Sequence, residues 1–264
     1  MRRIPIFWTA PAALLTLTLA LAPAAAADTV ILVASRDNTL YEDMAGSVSN
    51  GQGENLFAGN TLGAGVRRGL LAFNVVSNVP PGSVIEEVTL TLHVSNVPPG
   101  FTPTPIGLHR VLQPWGEGAS AAGGPGGQGV PAAPGDATWL HTFYDTDFWT
   151  TPGGDFDGVP SATQMVGDVG FVTWGSTPEM VADVQEWLDF PEDSDGWLLL
   201  GDEVNLQTAR RFDSRENVEP DFWPVIEVQF TPPTVVEIPT LSQWGMILLT
   251  LALLAAGARR LRRT

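Results

Sequence analysis

The sequence predicts an all-β fold, an antiparallel β-sandwich with one short helix, bounded by an apolar segment at each end. Three observations predict it. Short runs alternate apolar and polar residues with a period of two, turn formers are abundant at 28 Gly and 22 Pro in 264 residues, and helical periodicity is scarce between the ends. Many short strands joined by Pro/Gly turns pack as layered sheets. The absence of cysteine excludes a disulfide scaffold. All 13 basic residues are Arg, and six of them, Arg2, Arg3, Arg259, Arg260, Arg262 and Arg263, lie at the two ends. Residues 28–237 therefore hold 7 Arg against 29 Asp and Glu, a net charge of −22. Such a surface repels phosphate backbones, which argues against nucleic acid and for cations or a neutral polymer as partners.

The N-terminal segment opens with Met1-Arg2-Arg3, continues through Leu14, Leu15, Leu17, Leu19 and Leu21, and closes in Ala24-Ala25-Ala26-Ala27. Charged, apolar and small-residue regions in that order read as a secretory signal peptide over 1–27, cleaved between Ala27 and Asp28. The alternative is an uncleaved anchor, disfavoured because the apolar core is short for a span of ~20 residues.

Strands follow. Thr29–Ala34, Leu70–Val75 and Val88–Val94 carry the pattern, the last with Val88, Leu90, Leu92 and Val94 on one face and Thr89, Thr91 and His93 on the other. Ile106–Leu112, Gly170–Trp174, Gly196–Leu200, Thr208–Asp213 and Pro224–Phe230 read as further strands, with turns at Asn78–Gly82 and Pro98–Gly100. Residues 116–137, rich in Gly, Ala and Pro, have almost nothing to bury and read as a long flexible loop inside one domain, favoured over a linker between two because 28–115 alone make an incomplete sandwich. One helix is expected after Thr177, with Pro178 at its first position, Glu179 complementing the dipole, and Met180, Val181, Val184, Trp187 and Leu188 on its inner face. It should stop before Pro191.

At the C-terminus an apolar run from Leu241 to Ala258 precedes Arg259-Arg260-Leu261-Arg262-Arg263. That run is expected to be a membrane-spanning helix with its Arg cluster on the cytoplasmic side. Just before and within it stand Ile238, Pro239, Thr240, Leu241, Trp244 and Gly245. Ile-Pro-Thr-Leu, then Trp-Gly, then an apolar helix and an Arg cluster resembles the IPTL-CTERM family of protein-sorting signals. The resemblance implies recognition and cleavage by an exosortase-like membrane enzyme. Pro239 keeps Ile238 extended, as a protease substrate must be. A plain tail anchor is the alternative.

The intervening domain carries a second resemblance. Asp37–Asp43, Arg67–Phe73, Pro81–Ile85, Ala137–Leu140, Trp149–Phe156, Gly196–Gly201 and Arg211–Asn217 together resemble the DNRLRE-domain family, over about Asp28 to Phe230. The resemblance implies a jelly-roll-like β-sandwich of microbial surface proteins, related to carbohydrate-binding modules, and does not by itself imply catalysis. The chain departs from the family at Pro191–Gly196 and at Asp221–Pro224. The organisation expected is a signal peptide (1–27), the sandwich (28–231), a linker (232–237) and the sorting signal (238–264).

Candidate chemistry is sparse. Asp145 with Asp147, and Asp155 with Asp157, set carboxylates two apart beside Gly-rich turns and make a candidate Ca²⁺ site, although such pairs also cap turns. Trp139 and Trp149 bracket His141 and Tyr144 and are the rings expected to be exposed for stacking on a sugar. Arg211 is the candidate clamp on a sugar carboxylate, while ion pairing of Arg67, Arg68, Arg210, Arg211 and Arg215 with acids such as Asp213 and Glu216 is the structural alternative. His93, His109 and His141 form no zinc motif, and the chain has no nucleophile elbow. The expectation is an exported, surface-processed, non-catalytic module bound to an extracellular polysaccharide. The alternatives are a coat or matrix protein without a ligand, and a polysaccharide lyase or hydrolase.

Overall fold

Alternating side chains become pleated strands whose successive residues face opposite sides. The structure, a computed structural model, describes residues 26–234 and 241–262, the first four of the latter by backbone only. Residues 1–25 of the signal peptide and the motif residues Ile238, Pro239 and Thr240 lie outside the described residues; Ala27 is exposed just before the first strand and Asp28 is exposed at its start. The first half holds β1 (Asp28–Tyr41), β2 (Val48–Ser49), β3 (Asn55–Asn60), β4 (Val66–Phe73), β5 (Val84–Asn96), β6 (Thr104–Arg110) and β7 (Val130–Pro131). Next come β8 (His141–Phe143), β9 (Asp147–Phe148), β10 (Ala162–Val166), β11 (Gly170–Trp174) and helix α1 (Pro178–Asp189). The chain continues through β12 (Trp197–Leu200), β13 (Arg210–Asp213), β14 (Val225–Thr231) and helix α2 (Leu241–Leu261).

All pairings are antiparallel, and β1 decides the architecture. Its first half pairs with β14 from Asp28↔Phe230 to Val33↔Val225. From Ala34 onward it pairs with β4 instead, after a register shift between Ala34 and Arg36. Strands β14, β5, β13 and β3 complete the path back to β4, so six strands close a barrel-like circuit. Strands β12, β6 and β10 extend it beyond β4, and β11 adds to β5. A strand that changes partners mid-way turns the two expected layers into one continuous sheet.

The interior is lined from all sides of this circuit. Leu56, Leu71, Leu90, Leu92, Ile106, Trp197, Phe212 and Ile226 form one buried cluster with Met180, Val184 and Trp187 of α1. Each such side chain contributes about 1.5–3 kcal/mol on burial. Helix α1 forms where expected: Thr177 Oγ1 accepts from Met180 N at 3.0 Å, Pro178 occupies the first turn, and the helix ends at Phe190. Asp183 joins its buried face, accepting from Ser161 Oγ at 2.5 Å and Trp197 Nε1 at 2.7 Å, while Val181 is only partly buried.

The segment 116–137 departs from its expected flexible character. Its last residue, Ala137, joins Trp115, Trp139 and Trp149 against Leu40 of β1, Leu70 and Ala72 of β4 and Leu198 of β12 in a second buried cluster. Polar pinning replaces apolar content along this stretch. Asp136 accepts from Ala133 N at 2.6 Å and Ser120 N at 3.3 Å, and Asn38 Nδ2 donates to Glu117 O at 3.1 Å.

Helix α2 coincides with the apolar run, but the expected span is not met. Among the described residues no helix is long and apolar enough to cross a membrane. Its charge-free stretch, Leu241 to Ala258, amounts to about 27 Å of helix at 1.5 Å per residue, slightly short of a hydrocarbon core of about 30 Å.

Candidate functional site

Because Leu92, Val94 and Phe212 point into the barrel, their strand neighbours His93, Ser95, Arg211 and Asp213 face outward. Register then gathers partners from four strands. Phe171 lies across from His93, and Arg211 lies across from Asn96 on one side and Phe57 on the other. The His93 ring stacks on Phe222 at 4.0 Å with planes 9° apart, and meets Phe171 at 4.9 Å. His93 Nδ1 donates to Asp213 Oδ2 at 2.6 Å, and Asn217 Nδ2 donates to Asp213 Oδ1 at 2.9 Å. Phe171 itself remains 61% exposed. The result is an aromatic ledge held at a fixed angle, with the hydroxyls of Thr91 and Thr173 beside it at 2.8 Å from one another.

The residues singled out in the sequence sit elsewhere. Trp139 and Trp149 are buried at 7% and 5% exposure, which corrects the expectation of exposed rings. Their faces are used: the Arg68 guanidinium lies 4.8 Å above the Trp139 ring, and Trp149 Nε1 donates to Thr138 O at 2.9 Å. His141 is buried, with Nδ1 2.9 Å from Thr138 Oγ1 and its ring against Phe148 and Tyr144. These four residues do come together, as a packed cap on the second cluster rather than as an open platform.

The acidic pairs hold turns. Asp155 accepts from Thr150 N at 2.6 Å, Thr151 N at 3.0 Å and Gln113 Nε2 at 2.8 Å. Asp157 Oδ1 accepts from Val159 N at 3.1 Å, and Asp147 from Thr146 Oγ1 at 2.9 Å. Asp145 is exposed at φ +67°, a turn conformation that Asp tolerates better than most residues. Among the described residues no three His, Cys, Asp or Glu side chains are grouped to hold a metal ion.

Among the arginines the two readings divide. Arg68 pairs with Glu203 at 2.7 Å and Arg215 with Glu117 at 2.5 Å and Glu216 at 3.0 Å. Arg211 instead donates to Ser95, through Nε to Oγ at 3.0 Å and through Nη2 to O at 3.3 Å. Asp213 goes to His93, not to an arginine. The ledge was missed because Phe171, His93 and Phe222 stand far apart in sequence; the one signal available was His93 on the polar face of a strand.

At the C-terminus, Leu241, Trp244 and Gly245 begin α2. Residues 238–263 match the IPTL-CTERM motif. The chain thus ends in a protein-sorting signal of the kind that exosortase-type processing recognises, which marks an exported, surface-directed protein. No curated protein matches the chain.

Proposed function

We propose that the sorting signal delivers a non-catalytic polysaccharide-binding module to the cell surface, and that the module binds through the outward face of β5, β11 and β13. The observation that carries this reading is the Phe171 ledge. A flat exposed ring with threonine hydroxyls at its edge, on a base fixed by the buried Asp213 carboxylate, suits the apolar face and polar rim of a sugar. The DNRLRE-like, jelly-roll assignment of 28–231 belongs to the same proposal. It is supported by antiparallel pairing throughout and by the adjacency of Asp37–Tyr41 and Arg67–Leu71, two of the resembling stretches, on β1 and β4. A ligand-free matrix protein is the second reading, favoured by the burial of Trp139 and Trp149.

The test is retention of the full chain on immobilised neutral and acidic polysaccharides, with product ends assayed in parallel. Retention without new chain ends, reduced about tenfold or more in Phe171→Ala, is the expected result; loss of a stacked ring of this kind is worth about 0.5–1.5 kcal/mol beyond its buried area. Retention unchanged in that variant removes the ledge from the site, and new chain ends make the protein an enzyme.

A further inference from the structure

Seven arginines stand among the 29 acids of residues 28–237, and four have carboxylate partners: Arg36 with Asp195, Arg68 with Glu203, Arg110 with Asp183, and Arg215 with Glu117. Among the described residues Arg67, Arg210 and Arg211 have none within ion-pair distance. In so acidic a domain that is an unequal distribution. Arg210 is fully buried and donates to Thr208 O and Thr102 O. Arg67 and Arg211 line one groove of about 260 Å³ on the outside of the barrel, together with Asn60, Asn96, Gln128 and Phe57.

The groove is short of acceptors. A guanidinium has five N–H donors, and those of Arg67 reach only the carbonyls of Gly127 and Val66, while those of Arg211 reach only Ser95. Arg67 is 7% exposed and lies 4.7 Å above the Tyr41 ring, so its fork is fixed. Burial also lowers its affinity for the proton, with Tyr41 and the Glu42 carboxylate opposing it only in part. Asn60 is 5% exposed, donates through Nδ2 to Glu203 O at 2.9 Å, and has no partner at Oδ1. On the rim, Gln207 holds φ +61°, a conformation uncommon for a residue with a side chain.

We propose that this groove is an anion subsite that takes the carboxylate of an acidic sugar unit, Arg211 and Arg67 holding the carboxylate oxygens. Planar forks match carboxylates in bidentate fashion. The inference rests on the polysaccharide reading above and names its ligand class.

The experiment measures retention of the full chain on polygalacturonate, dextran sulfate and neutral dextran, for the wild type, Arg211→Gln, Arg211→Lys and Arg67→Gln, with unfolding midpoints recorded for each. The Arg211 side chain makes only two hydrogen bonds, both to Ser95, so its variants should fold. The expected result is strongest retention on polygalacturonate, weakened about tenfold or more in Arg211→Gln and only partly restored by Lys, with the midpoint unchanged. Equal retention on neutral dextran, unaffected by Arg211→Gln, overturns the subsite and leaves the ledge reading standing. Preference for dextran sulfate overturns the carboxylate assignment. Retention on none of the polymers overturns subsite and binding module together.

Discussion

Glu216 shows how one residue can tie stability to pH. It lies beside Arg215 at 3.0 Å, yet its Oε2 is buried without a hydrogen-bond partner. Burial, and then the nearby Glu117 carboxylate, push its carboxyl up to about 7, while Arg215 pulls the other way. An unfolded Glu titrates near 4.3, so the folded state holds this proton more tightly. Its favourable contribution is complete below about pH 4 and is lost as pH rises through about 7. Asp37, buried in the same cluster and raised mainly by desolvation, has the same sign. Urea midpoints should therefore fall between pH 5 and pH 8, and Glu216→Gln, neutral throughout, should flatten that fall. An identical slope in the variant would remove Glu216 as its source. The pairing of Glu216 with an arginine was legible in the sequence and is met by Arg215, but the raised carboxyl was not. Its neighbours Asp37 and Glu117 arrive from β1 and from the loop after Trp115, and only folding sets them side by side.

Among the elements, legibility followed exposure. Strand β5 was readable because one face meets the core and the other is partly open, so its residues alternate. Strand β3 was not, because all six of its residues are buried: Leu56 and Ala58 enter the core, while Phe57 is covered by the chain at Gly126 and Gly127. With both faces covered, the period of two disappears. Helix α1 was legible from its cap and proline, whose effects are local. The Gly-rich segment misled for the opposite reason, since its order depends on distant polar partners and on three tryptophans spaced widely along the chain. Those tryptophans should therefore behave as structure. Trp149→Ala is expected to destabilise the protein by about 3–5 kcal/mol, read from the shift of the urea midpoint. Retention on polysaccharide should be unchanged wherever the variant is folded, whereas a selective loss of retention at full stability would return Trp149 to the binding site.

For the whole molecule, charge and sorting act together. The described barrel and the segment before the motif carry the net −22 of residues 28–237, whereas Arg259, Arg260, Arg262 and Arg263 all follow the motif. Cleavage near Ile238 to Leu241 would remove every one of them and leave an acidic module whose remaining unpaired cations are concentrated near one groove. Such cleavage would separate a net acidic module, whose charge keeps copies apart in solution, from the basic tail. Mass spectrometry of the surface-exposed protein in a host with an exosortase-type enzyme should find the C-terminus within or before the motif, with no peptide covering 259–263. Replacing Ile238, Pro239, Thr240 and Leu241 by alanine should leave that basic peptide attached, because the residues of the sorting motif are lost. If the wild-type surface protein keeps its Arg tail, the motif sorts without cleavage, and the acidic module works while still joined to α2.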